Sequence, residues 1–154
     1  MSREEYLTAA GVFFERTLLP VKDMPADRLT WPLAEGSESA LELYGELARR
    51  AERMVRALEL LYHGADADEL LATPYQVSSD TKRSQAHYRI AHSTVIAALE
   101  RVPEARLHEH NELPEWMLTE YLQPLEQAAI RIERWSAELR GRGQAGPTGL
   151  PVIQ

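Results

Sequence analysis

The sequence predicts an all-α protein, a four-helix bundle with a long crossover between its first and second helices. Three observations carry this. Leu41, Tyr44, Ala48, Ala51, Val55, Leu58 and Tyr62 alternate spacings of three and four, the period of one helical face. Ser2 with Glu5, and Ser39 with Glu42, each have the form of a capping box, in which a serine hydroxyl and a glutamate satisfy free N–H groups at a helix start. No stretch shows a convincing strand pattern.

Each element follows in order. After Ser2, the positions Tyr6, Ala9, Ala10, Phe13, Phe14 and Thr17 keep helical spacing, and Pro20 ends this first helix near Leu19 because the residue before a proline is pushed out of the α region. Residues 20 to 36 hold Pro20, Pro25, Pro32 and Gly36 and read as a long connection, with one short turn at Ala26 to Leu29 and with Leu29 and Trp31 tucked onto the helices. The second helix spans 37–63. A second seam, Ala40, Leu43, Leu47, Met54 and Leu61, widens its apolar face, while Glu42, Arg49, Glu52, Arg53, Arg56 and Glu59 form a solvated arc. Gly64 is placed as its stop, and His63 lies at its C-terminal end, where a cation suits the dipole.

One or two short turns follow at residues 65–71. A third helix is expected over 79–102, capped by Ser79 and ended by Pro103, with the seam Ser84, Tyr88, Ala91, Val95, Ala98 and Val102. The fourth is expected over 113–140, opened by Pro114, kinked or divided at Pro124 and stopped by Gly141 and Gly143. Phe13, Leu41, Leu47, Val55, Leu58, Val95, Leu125 and Ile132 are the expected core. Residues 1–143 read as one helical domain. The tail 144–154 reads as flexible, with Leu150 to Ile153 able to dock.

Composition bounds the function. The chain has 154 residues and no cysteine, which excludes disulfides, thiolate metal sites and thiol nucleophiles of its own. A net charge of -7 with mixed signs along the helices argues against nucleic acid as a partner. No apolar run approaches the roughly 20 residues of a membrane span, and the acidic start is unlike a signal peptide. The expectation is a cytoplasmic protein that meets no membrane. There is no phosphate loop and no nucleophile elbow, and no spacing ties Ser, His and Asp into a triad, so no catalytic set is assigned.

Trp31-Pro32, then Gly36, then Ser37 to Leu47 opening the second helix, together with the long first connection, resemble the DinB/YfiT-like family of four-helix bundles. The resemblance covers residues 3 to 140. It implies a divalent metal such as zinc or nickel, held by one histidine on the second helix and a His-x-x-x-His pair on the fourth. Here the corresponding positions are Glu46 on the second helix and Glu126 and Ile130 on the fourth, or Gln127 and Arg131 if the register shifts by one. The histidines are missing. Glu46 reads first as a member of the charged arc, the ordinary state of a surface glutamate; the alternative sets Glu46 and Glu126 facing each other as carboxylate candidates for a harder cation, with Glu133 two turns on.

The other histidines are weighed alongside. His87 and His92 lie five apart and point to different sides. His108-x-His110, beside Glu109 and Glu112, is either a metal clip or a solvated loop. Tyr44, Tyr62, Tyr88, Tyr121, Trp116 and Trp135 either line a pocket for a small-molecule ligand or form simple core.

Three readings follow. One is a bundle without cofactor that has lost the family metal site and serves as a non-catalytic binding or interaction module. The alternative is a divalent-metal-dependent thiol transferase or hydrolase, as the resemblance implies. The third is a small-molecule sensor. A homodimer is expected, from the surplus of apolar positions on the second and fourth helices and the small residues of the third.

Overall fold

The computed structural model describes residues 1–74 and 82–143. Both capping boxes form completely. Ser2 Oγ accepts from Glu5 N at 3.2 Å and Glu5 Oε1 accepts from Ser2 N at 3.1 Å, opening α1 (Arg3–Leu18). Ser39 and Glu42 repeat this at 3.2 and 3.1 Å and open α2 (Ala40–Tyr62). Two side-chain bonds at a start remove two of the orphan N–H groups that otherwise fray a helix.

After α1, a 3₁₀ turn at Leu19–Val21 carries Pro20, and a second at Ala26–Thr30 seats Leu29 in the core. The Arg28 guanidinium lies 4.2 Å from the Trp31 ring centre, which holds this connection down through a cation–π contact. Ser136 Oγ and Arg140 Nη2 donate to Pro20 O at 3.3 and 3.2 Å, so the connection crosses the C-terminal half of the last helix.

Helix α2 ends as its sequence reads. His63 is the C-cap residue and Gly64 follows at φ +72°, the left-handed conformation of a C′ glycine. A short α3 (Asp68–Ala72) comes next. Ser79, the expected N-cap of the following helix, and the tail 144–154 lie outside the described residues. Helix α4 runs Ser84–Arg101. Arg83 is its N-cap residue, and the first turn of the helix packs closely on α2: a Cβ placed on Gly45 would sit 3.2 Å from Ser84 Oγ.

The stretch expected as one helix over 113–140 is three pieces: α5 (Glu115–Met117), a π-helical turn (Leu118–Leu122) and α6 (Gln123–Gly141). Pro124 explains the break. It has no N–H for the carbonyl four residues back, that of Glu120, and its ring crowds that turn, so the helix widens locally instead of continuing. Arg50 Nη1 donates to this Glu120 carbonyl at 3.4 Å.

The fold is all-α; no strand occurs among the described residues, where three isolated bridges are the only β pairing. α2 packs chiefly on α4, and α1 chiefly on α6. The contacts fix directions. Gly45 meets Ser84, and farther along Glu52 meets His87, so α2 and α4 run parallel. Tyr6 bonds Met117 O and Arg16 bonds Glu133, so α1 and the α5–α6 run are parallel too. Tyr44 Oη near the start of α2 donates to Thr17 O near the end of α1 at 2.6 Å, and Arg3 Nη1 at the start of α1 donates to Leu99 O near the end of α4 at 3.3 Å, so the two pairs are antiparallel.

One apolar cluster joins these elements. Leu47, Leu58, Val95, Leu125 and Ile132 are buried in it as expected, but Phe13, Leu41 and Val55 are only half-buried. The α2 face turned inward is centred between the two seams, on Leu43, Tyr44, Leu47, Ala51, Met54 and Leu58. Leu41 and Val55 fall on its margin, and Tyr62 at the end of the first seam is 46% exposed.

Candidate functional site

The seam between α2 and α6 holds the positions that the sequence singles out. Glu46 is half-buried, and its Oε1 takes a bond from Arg50 Nη2 at 3.4 Å, one helical turn away. Arg53, 7% exposed, reaches across to the Glu120 carboxylate and donates from Nη1 to Thr73 O at 3.0 Å. At the other end of the seam Arg131 binds the Glu38 carboxylate and donates to Ser37 Oγ at 2.7 Å.

Glu126 does not join Glu46. It is exposed and adds to the negative field at Arg16 of α1, which places it on the α1 side of α6. Glu133, one heptad on, shares that side and takes a two-pronged bond from Arg16 at 2.6 and 3.0 Å. The Arg16 guanidinium holds the Glu133 carboxyl below its ordinary range, first through that hydrogen bond. Of the two readings of Glu46 and Glu126, the facing pair is not what these contacts describe: seven residues separate Glu126 from Glu133, a spacing that keeps both on one stripe of α6, and Glu133 on that stripe binds Arg16 of α1. Ile130 is 40% exposed and Gln127 is exposed.

A second polar constellation sits in the core, and the sequence shows little of it. Tyr6, Tyr44, Tyr88 and Tyr121 are fully buried. Tyr6 Oη donates to Met117 O at 2.9 Å and Tyr44 Oη to Thr17 O. Thr17 Oγ1 donates to Phe14 O at 2.6 Å, which leaves it to accept from Tyr88 Oη at 2.7 Å. Tyr121 Oη and His92 Nδ1 share a bond of 2.6 Å, and the His92 ring stacks on Phe14 at 4.1 Å between centres. Every one of these phenols has a protein partner, the condition for burying a hydroxyl without a large penalty. Burial pushes the Tyr6, Tyr44, Tyr88 and Tyr121 hydroxyls above their ordinary range and His92 down to about 4. Tyr44, Tyr88 and Tyr121 are thus interlocked core. The available signal for His92 was its place one turn after Tyr88, on the same seam as Val95 and Leu99.

His87 does point away from His92, toward Glu52 on α2. His108 and His110 are exposed on a tight turn in which His110 and Asn111 take left-handed φ of 61° and 59°; His108 N donates to Glu112 O at 3.1 Å. Among the described residues, no group of three or more His, Asp or Glu side chains is arranged to hold a metal ion. Also among them, no helix is long and apolar enough to cross a membrane.

Grooves open on the surface among the described residues. One of about 450 Å³ lies at the C-terminal ends of α2 and α4, lined by Leu58, Glu59, Tyr62, His63, Ala98 and Arg101. Another of about 610 Å³ lies where the first connection crosses α6, between Trp31 to Glu35 and Trp135, Glu138, Leu139 and Arg142. Trp135 is buried at its floor, while Trp116 is half-buried elsewhere. No family model, no curated protein and no solved structure matches this chain.

Proposed function

We propose that the chain is a DinB/YfiT-like four-helix bundle that has lost the family metal site and works as a non-catalytic binding or interaction module. The observation that carries this is the pairing of Glu46 with Arg50, at the position where the family resemblance puts its second-helix histidine. A guanidinium beside that carboxylate competes with any cation for it. The remaining positions do not make a donor set either. Glu126 lies on the α1 side of α6, Ile130 has no donor atom, and Arg131 is itself a cation bound to Glu38. A transition metal in a catalytic site takes three protein ligands with an open position, and these residues do not fit that requirement. The long connection over α6 and the antiparallel disposition of the two helix pairs support the bundle topology. The grooves at Tyr62 and at Trp31 are the surfaces offered to a small-molecule ligand or protein partner.

Elemental analysis of protein purified without chelators, followed by zinc and nickel titration, tests the reading. The expected result is far less than one metal per chain and no saturable uptake. Stoichiometric metal that is lost in Glu46→Ala or Glu126→Ala would restore the metal-dependent transferase or hydrolase as the better reading.

A further inference from the structure

Helix α4 buries Tyr88, Ala91, His92, Val95, Ala98 and Leu99 and turns its opposite face to solvent. Ile90 stands in the middle of that face, 68% exposed. It shares a shallow groove of about 440 Å³ with Arg89, Ser93, Thr94 and Ala97. The two hydroxyls there are already bonded to their own helix: Ser93 Oγ donates to Arg89 O at 3.0 Å and Thr94 Oγ1 to Ile90 O at 2.9 Å. With its hydroxyls turned back, the face presents mostly carbon.

The charges at its margins are arranged in a way that matches the face to itself. Arg89 and Glu100 are eleven residues apart, about three turns, so they lie on one edge about 16 Å apart along the axis. Both are exposed, and neither has an ion-pair partner among the described residues. The other edge carries His87 with Glu52 of α2 beside it, and Arg101 about four turns farther on.

We infer that this face is a homodimer interface, with two α4 helices packed antiparallel about a two-fold axis near Thr94. Such an axis sets each edge of one helix against the same edge of the other, reversed. Arg89 then faces Glu100 of the second copy, twice over. Arg101 approaches Glu52 of the second copy, and Ile90 drops between Ala97 and Arg101 of the second copy. A parallel pair would instead set this edge against the opposite edge of the second copy and leave no Arg89–Glu100 pair, so charge reversal at these two positions distinguishes the arrangements. The match of the surface to its own two-fold image is the reason to name a second copy as the occupant. One helix face offers less than the roughly 800 Å² per partner of a standard interface, so the dimer is of the weak, reversible class. The inference stands independently of whether the α2–α6 seam holds metal.

Sedimentation equilibrium on the full chain up to about 500 μM tests it, a concentration high enough to populate a weak dimer. The expected result is a reversible dimer. Ile90→Glu is monomeric, Arg89→Glu and Glu100→Arg each weaken association by about tenfold, and the double charge reversal regains most of the loss. All three positions are exposed, and unchanged circular dichroism verifies that each variant is folded. Because the chain has no cysteine, Thr94→Cys gives an oxidised covalent dimer, whereas Ala137→Cys on exposed α6 surface does not. A monomer throughout the range, a dimer indifferent to Ile90→Glu, or a double reversal no better than the single changes would overturn the inference.

Discussion

His92 Nδ1 and the Tyr121 hydroxyl share a 2.6 Å hydrogen bond between α4 and the π-helical turn, with the imidazole 4% exposed. Burial lowers the His92 pKa from 6.5 to about 4. The unfolded chain therefore takes up a proton near pH 6.5 that the folded chain refuses until about pH 4. This contribution to stability is complete above about pH 6.5, declines as pH falls through that window and is gone below about pH 4. Its full span is on the order of 3 kcal/mol. Urea unfolding at pH 7.5 and 4.5 should show a smaller pH dependence in His92→Phe than in the wild type. Equal slopes would mean that His92 protonates alike in both states.

Leu58→Ala should cost about 2–5 kcal/mol, because Leu58 is 1% exposed at the centre of the α2 face and its loss leaves a cavity. Val55→Ala, at the margin, should cost less than about 1 kcal/mol, since fewer neighbours are lost there. Chemical denaturation of both ranks them. A reversed order would place the seam one stripe over.

Gly64→Ala should destabilise by about 1 kcal/mol, the cost of a Cβ in the left-handed region. The new Cβ would also come within 2.6 Å of Arg106 Nη1, displacing the guanidinium whose Nε donates to Tyr62 O at 3.3 Å. Gly64→Asn should cost less, because asparagine tolerates that conformation better. Thermal denaturation of the pair decides it, and equal melting temperatures for Gly64→Ala and wild type would contradict the cap.

Arg53→Met should cost about 1–3 kcal/mol by removing bonds to the Glu120 carboxylate and the Thr73 carbonyl from a side chain that is nearly buried. In a double-mutant cycle with Glu120→Gln the coupling should exceed about 0.5 kcal/mol, as for residues in direct contact. Additive effects would mean that the pair contributes nothing beyond its separate environments.

The features read correctly from sequence depend on neighbours close in the chain. Ser2 with Glu5 and Ser39 with Glu42 cap their helices as their spacing dictates, because the bonds span three residues. Gly64 stops α2 for the same local reason. Pro124 was legible as a break but not as a π-turn, since proline removes one bond without specifying how the chain absorbs the loss. Glu46 and Glu126 could be aligned with family positions, but not placed in space. A spacing along one helix says nothing about which neighbour that face meets.

The sequence by itself determined the all-α class, the main helix positions and their caps, because backbone hydrogen bonding and apolar periodicity are local. Tertiary structure alone decided that Glu46 pairs with Arg50 while Glu126 answers to α1, that Arg50 reaches the Glu120 carbonyl, and that His92 lies stacked in the core beside Tyr121. Those outcomes depend on how helices rotate and run against one another. That rotation is set by the whole buried surface at once, with each polar group then pairing with whatever the packing brings within reach.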